Sequence, residues 1–290
     1  MDTSIHYLLL IDFCLENVQI KVYYSPNHLD ELELRDKILV VIDVLRASTT
    51  ITYAMRAGAR EVIPVASVEQ AMKIVGNLHS TSTILCGERG GKRVEGFKLG
   101  NSPSEYTPEA VDGKVLIIST TNGAVALTKA KYARICYVSS FVNLSATVEA
   151  LRDIPGIENE NLHILCSGYD EDFSLEDATC VGMLITKLST FFPEIVFTDG
   201  ARAALSVYAQ FGNDIYRTLI ESDHGKRLLA LGFEEDIRVA SELDSVPLVP
   251  VLEQAVIKKK LIYSEELQEE IEQRNGKSAA PKKVRIGSTI

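Results

Sequence analysis

Short apolar runs alternate with stretches of helical period along most of the chain. ILVVID (Ile38–Asp43), EVIPVA (Glu61–Ala66), TILC (Thr83–Cys86), KVLIIS (Lys114–Ser119), RICYVS (Arg134–Ser139) and NLHILCS (Asn161–Ser167) read as buried strands. Between them, TTITYAMRAGA (Thr49–Ala59), SVEQAMKIVGNL (Ser67–Leu78), GAVALTKA (Gly123–Ala130), VNLSATVEAL (Val142–Leu151) and SLEDATCVGMLITKL (Ser174–Leu188) read as helices. Ser67 is placed to cap the second of these, and Ser174 with Asp177 fits a capping box at the last. Beyond Asp199 the pattern is mostly helical, and the tail after Glu265 is charged, ending in a basic stretch. Strands alternating with helices predict a three-layer α/β/α fold with a mainly parallel sheet, open to some mixed pairing, and a helical C-terminal part. No Gly/Ser/Pro linker divides the chain. One domain is therefore expected over 21–263, preceded by an extension of unassigned role (1–20) and followed by a charged helix and tail (264–290).

Composition narrows the function classes. The chain is 46% hydrophobic and 24% charged, an ordinary globular balance, and its net charge of −10 speaks against nucleic acid as a partner. The apolar run Tyr7–Leu15 is interrupted by Asp12, is too short to span a bilayer and lacks a basic flank, so neither a membrane anchor nor a signal peptide is expected. The five cysteines include no CxxC pair. That usage predicts free thiols in a reducing, cytoplasmic setting and no zinc site. The sequence leaves a homo-oligomer open.

Polar residues collect where the apolar runs end. ILVVID leads into DVLRASTT, with Asp43, Arg46, Ser48, Thr49 and Thr50; TILC leads into GERGG and a long loop with Glu88, Arg89, Asn101 and Ser102. KVLIIS leads into TTNG, with Thr120, Thr121 and Asn122; RICYVS leads into SFVN, with Asn143; NLHILCS leads into GYDEDFSLED, with Asp177. In open α/β sheets ligands bind at the carboxyl ends of the strands, so the five clusters are expected to line one cleft. Each cluster alone also fits ordinary turn and cap chemistry. For Asp43 and Arg46, or Glu88 and Arg89, a neighbour-to-neighbour ion pair is the alternative to a ligand role.

Several phosphate-handling signatures are missing. Gly91–Lys92 is followed by Arg93, so there is no P-loop, and Leu45 stands where a DxD phosphatase would carry its second aspartate. Position 172 is Asp, where a cysteine phosphatase built on Cys166 would need arginine, and the five histidines show no HxH or HxxxH spacing.

At these clusters the chain resembles the 2-phosphosulfolactate phosphatase family. The matching stretches are VVIDVLRASTTI, GERGG with GFKLGNSP, STTNGAVAL, SSFVN and CSGYDEDFSLEDATCVG, with a weaker match at SDHGKRL and FEEDIRVASELD. The resemblance implies a Mg²⁺-dependent acid phosphatase that converts (R)-2-phospho-3-sulfolactate to 3-sulfolactate and phosphate, a step of coenzyme M biosynthesis in methanogens. Members also occur where coenzyme M is not made, so another small phospho-acid is an alternative substrate. A non-catalytic protein binding an anionic metabolite is the alternative of another class.

On that reading Asp43 and Glu88, then Asp177, are expected to hold the metal. Arg46 and Arg89 would brace phosphate oxygens. Ser48, Thr49, Thr120, Thr121 and Asn122 would be neutral donors, while Asn101, Ser102 and Asn143 would orient carboxylate and sulfonate. A covalent route through Asp43 or Cys166 stays open.

Overall fold

Eleven strands join in one sheet. They are β1 (Gln19–Tyr23), β2 (Ile38–Ile42), β3 (Glu61–Pro64), β4 (Thr83–Arg89), β5 (Lys92–Arg93), β6 (Val115–Ser119), β7 (Ile135–Ser139), β8 (Asn161–Cys166), β9 (Val196–Phe197), β10 (Val249–Glu253) and β11 (Val256–Lys260). The helices are α1 (Ala47–Arg56), α2 (Val68–Asn77), α3 (Pro108–Val111), α4 (Gly123–Lys129), α5 (Leu144–Arg152), α6 (Leu175–Leu188), α7 (Asp199–Phe211), α8 (Ile215–Glu221), α9 (Asp223–Ala230) and α10 (Glu234–Ser241). The structure, a computed structural model, describes residues 18–27, 29–77 and 82–260. The apolar run at Tyr7–Leu15 and the tail from 264 onward lie outside the described residues.

The strand order is β5-β4-β6-β3-β11-β10-β7-β2-β8-β1-β9. Strand β2 sits near the middle, parallel to β7 and β8, and all five of its residues are buried. Its alternate residues serve two cores, as a pleat requires. Ile38, Val40 and Ile42 pack with α5, α6 and α7 through Leu144, Leu184 and Ala204, whereas Leu39 and Val41 pack with α1 and α4 through Ile51 and Leu127. Helices on both faces explain why the parallel strands read as continuous apolar runs rather than alternating ones. The three-layer expectation therefore holds.

The sequence reading assigned no element to 249–260. There β10 and β11 form an antiparallel hairpin wedged between β3 and β7, which makes the sheet mixed. Its two-residue turn is Gln254–Ala255, at φ 48° and 66°. Such turns normally announce themselves with Asn-Gly or Asp-Gly, and this one carries neither. At the other end, Val18 and Ile20 are buried and β1 pairs with β8 and β9, so the sheet already includes residues assigned from sequence to the extension. No helix among the described residues is long and apolar enough to cross a membrane.

Candidate active site

A crevice of about 290 Å³ opens at the carboxyl ends of the parallel strands, lined by Asp43, Arg46, Glu88 and Asn101 and by Thr120, Thr121 and Asn122. The lining also includes Tyr169, Asp170, His224, Arg227 and Leu228. Four of the five strand-end clusters thus meet, after β2, β4, β6 and β8. The fourth in sequence, SFVN, does not reach the crevice. Asn143 is buried there, with Oδ1 accepting from the Ser140 amide and Nδ2 donating to the carbonyls of Val138 and Leu248.

Asp43 ends β2 and is 4% exposed. The Ala47 amide donates to its Oδ1 at 3.0 Å, which anchors it across the first turn of α1. Burial raises its carboxyl to about 6, against the opposing pulls of His224, the Ala47 amide and Ser167, while Glu88 nearby adds to the rise. Gly123 lies against it. A Cβ at that position would stand 2.2 Å from Asp43 Oδ2, so only glycine lets α4 start so close to the carboxylate.

Glu88 joins two strand ends. Its carboxylate accepts from the Thr121 amide and the Gly91 amide, each at 2.7 Å, and from the Thr121 hydroxyl at 3.2 Å. Thr120 Oγ1 accepts from the Ala124 amide at 2.9 Å and so caps α4. Asn101 is buried and its Oδ1 has no hydrogen-bond partner among the described residues. An orphaned amide oxygen in a crevice is a costly arrangement that a ligand relieves.

Arg46 is 3% exposed and pairs with neither adjacent acid. One guanidinium nitrogen donates to Asp236 of α10, the other to the Gly91 carbonyl at 2.8 Å, and the group stacks 4.4 Å over the Phe233 ring. Asp236 also accepts from Ser102, so Ser102 acts on the site through Asp236 and Arg46 rather than by lining the crevice. The remaining expected residues stand outside the lining. Arg89 turns away to the Glu88 and Ser119 carbonyls and to the Ser119 hydroxyl, at 2.7, 3.1 and 2.8 Å. Ser48 accepts from the Asp43 amide, and Thr49 donates to the Val44 carbonyl, both in the buried first turn of α1. Asp177 lies beneath the crevice, accepting from Val44, Gly168 and Ser167. Burial, then the nearby Asp43, holds its carboxyl well above the usual range. Cys166 is fully buried, its thiol pushed well above normal by burial, which keeps it protonated and removes it as a nucleophile.

The set Asp43, Glu88, Asp177 is not assembled as a ligand cluster: among the described residues no three His, Cys, Asp or Glu are placed to share one metal ion. Asp43, Glu88 and Asn101 do line one crevice. An oxygen-only set with one or two carboxylates, completed by water and substrate phosphate, is what Mg²⁺ takes. The residues therefore fit that ion.

Four lining groups escaped the sequence reading as individuals: Tyr169, Asp170, His224 and Arg227. The first two sit inside the GYDEDF stretch. His224 and Arg227 lie in SDHGKRL, on a helix far from any strand end, so strand-end logic had no purchase on them. Asp236 was equally hidden in FEEDIRVASELD.

A polar crevice over the carboxyl edge of a mainly parallel sheet, combining carboxylates, hydroxyls and buried arginine, defines an α/β enzyme built for a small anion. The chain belongs to the 2-phosphosulfolactate phosphatase family: the family model described as 2-phosphosulpholactate phosphatase matches residues 23–255. A protein of Caldanaerobacter subterraneus subsp. tengcongensis named probable 2-phosphosulfolactate phosphatase is 34% identical over 239 residues, covering 82% of this chain and 97% of its own. Proteins given the same name in Caldicellulosiruptor saccharolyticus and Thermotoga petrophila are 37% and 38% identical, covering 78% and 73% of this chain and 93% and 88% of theirs.

Proposed function

We propose that this chain is a cytoplasmic, Mg²⁺-dependent phosphatase that hydrolyses (R)-2-phospho-3-sulfolactate to 3-sulfolactate and phosphate. The observation that carries the reading is the meeting of Asp43, Glu88, Asn101, Arg46 and Arg227 in one crevice. The first three suit a hard cation and the arginines suit a polyanion. The relatives, named as probable 2-phosphosulfolactate phosphatases, supply the substrate class.

Asp43, Glu88 and Asn101 would hold the ion, which when bound neutralises phosphate oxygens and draws charge off phosphorus. The protein supplies positioning. Arg46 is clamped by Asp236, Gly91 and Phe233, so its guanidinium meets the phosphate without reorganising. Thr121 and Asn122 offer neutral donors from the loop that Glu88 fixes. Arg227 has no hydrogen-bond or ion-pair partner among the described residues and stands exposed at the mouth, where the carboxylate or sulfonate of the substrate would sit.

Phosphate release from 2-phosphosulfolactate, phospholactate and phosphoglycolate, each with Mg²⁺ and with excess EDTA, tests the reading. The expected outcome is the highest kcat/KM for 2-phosphosulfolactate and loss of turnover on chelation. Full activity in EDTA removes the metal. Saturable binding without phosphate release makes the chain an anion-binding protein instead.

A further inference from the structure

The crevice lining includes His224, which the chemistry above gives no catalytic role and which has buried Glu176 behind it. His224 stands in the first turn of α9, and its Nδ1 is 3.4 Å from Oε1 of Glu176, whose side chain is 2% exposed. Its ring stacks on Tyr169, with centroids 4.6 Å apart and planes 20° from parallel. The helix start is rigid. Ser222 Oγ accepts from the Gly225 amide at 3.0 Å, and a Cβ at Gly225 would lie 1.7 Å from the Leu219 carbonyl. The imidazole is thus fixed by a cap below, an aromatic face beside it and a buried carboxylate on one nitrogen. Nδ1 is the ring nitrogen beside Glu176, so Nε2 is the one free to serve the crevice that His224 lines.

Among the described residues no other cation forms an ion pair with Glu176. A buried carboxylate is costly without a polar neighbour, and the His224 ring nitrogen 3.4 Å away is one. A carboxylate orienting an imidazole that faces the reacting centre is the arrangement of a proton donor held in place. Phosphoryl transfer through a loose transition state puts negative charge on the leaving oxygen. For an alkyl ester that oxygen is strongly basic, and a positioned acid accelerates its departure by about 10²–10⁴-fold.

We propose that His224 is the general acid of the reaction and that Glu176 is its positioning residue. The water oxygen bonds to phosphorus as the ester P–O bond breaks, and that bond's electron pair stays on the ester oxygen. The Nε2 proton of His224 passes to that oxygen and gives the free hydroxyl of the product. The attacking water loses a proton to solvent to leave hydrogen phosphate, and the neutral imidazole takes one up from solvent.

This inference rests on the phosphatase reading, and the leaving group separates the two. kcat/KM is measured for the wild type, His224→Gln and Glu176→Gln with 2-phosphosulfolactate, an alkyl ester, and with 4-nitrophenyl phosphate, whose leaving group needs no proton. Melting curves run beside each. His224→Gln is expected to lose about 100-fold or more on the alkyl ester and less than about tenfold on the aryl ester. Glu176→Gln should show the same asymmetry at smaller size, in kcat rather than KM, and it carries the test alone if His224→Gln fails to fold. Equal losses on both esters, or none on either, overturn the general-acid assignment while leaving the phosphatase intact. A wild type that turns over neither ester removes the phosphatase reading, and this inference with it.

Discussion

The carboxylate of Asp177 accepts a hydrogen bond from the amide of Val44 at 2.9 Å, joining the end of β2 to the start of α6 across the floor of the crevice. Gly168 donates to the other oxygen at 3.2 Å, so the strand ends after β2 and β8 share one buried acid. Asp177 therefore shapes the site without lining it. Burial, then the nearby Asp43, holds its carboxyl well above the usual range, so the chief loss in a neutral amide is of hydrogen-bond acceptors. Asp177→Asn keeps an oxygen for one amide and sets an NH₂ against the other. The expected cost is about 1–3 kcal/mol of stability from the mismatched donor. The Mg²⁺ concentration giving half-maximal rate should stay at the wild-type value. A tenfold or larger rise in that concentration would return Asp177 to the metal.

Arg46 and Arg89 look alike in sequence, each three or fewer positions after a strand-end acid, and the structure separates them. Arg46 lines the crevice and Arg89 does not. Arg46→Lys is expected to lower kcat/KM by roughly tenfold or more, since a lysine cannot span Asp236, Gly91 and a phosphate with a planar fork. Arg89→Lys should stay within about twofold, because Arg89 lies outside the crevice and bonds to the Glu88, Ala66 and Ser119 carbonyls and the Ser119 hydroxyl. Steady-state kinetics on both, beside their melting temperatures, decide it. Matching losses would show that the crevice lining does not identify the anion clamp.

The fold was legible wherever burial on both sheet faces forced continuous apolar runs. Strand β2, helix α6 and its Ser174 cap stand where the pattern placed them. The β10–β11 hairpin was not legible, because its Gln254–Ala255 turn uses residues that seldom mark turns. In the site, polar residues after parallel strands were readable one by one. What they touch was not. Asn143 and Thr49 have the same local look as Asn122 and Thr121, yet they serve the helix starts. The α9 and α10 contributions depend on how the C-terminal helices fold back, a tertiary relation with no local signature.

His163 in β8 gives a pH test of stability. Its ring is buried, with Nδ1 3.2 Å from the Tyr23 hydroxyl and Nε2 unpartnered among the described residues. Burial, with Lys37 and Lys21 adding positive potential, lowers its pKa from 6.5 to about 4. In that window the unfolded chain binds a proton that the folded chain refuses. Stability is therefore complete above about 6.5 and is lost as pH falls towards 4. Between pH 7 and 5 the loss from this residue is on the order of 1–2 kcal/mol. His163→Leu should lose that part of the slope. Urea midpoints at the two pH values check it, and parallel slopes for wild type and variant would refute the assignment.

Gly123 offers the sharpest probe of Asp43. A Cβ there would sit 2.2 Å from Asp43 Oδ2 and 2.5 Å from the Ala47 Cβ. The backbone at Gly123 is not in the left-handed region, so alanine suffers no conformational strain and gains up to about 1 kcal/mol of helix propensity. Against that gain stands overpacking, typically about 1–3 kcal/mol, that displaces the Asp43 carboxylate. The two nearly offset in stability, and a melting temperature within roughly 5 °C of wild type is expected. They do not offset in function, because Asp43 is one of the two buried acids lining the crevice. Gly123→Ala should lower kcat/KM by about tenfold or more and weaken the response to Mg²⁺. The control is Gly76→Ala in α2, where a Cβ would meet nothing within 4 Å. That variant should gain stability from helix propensity and keep full activity. Wild-type kinetics in Gly123→Ala would mean that the carboxylate at β2 is not held to a catalytic position.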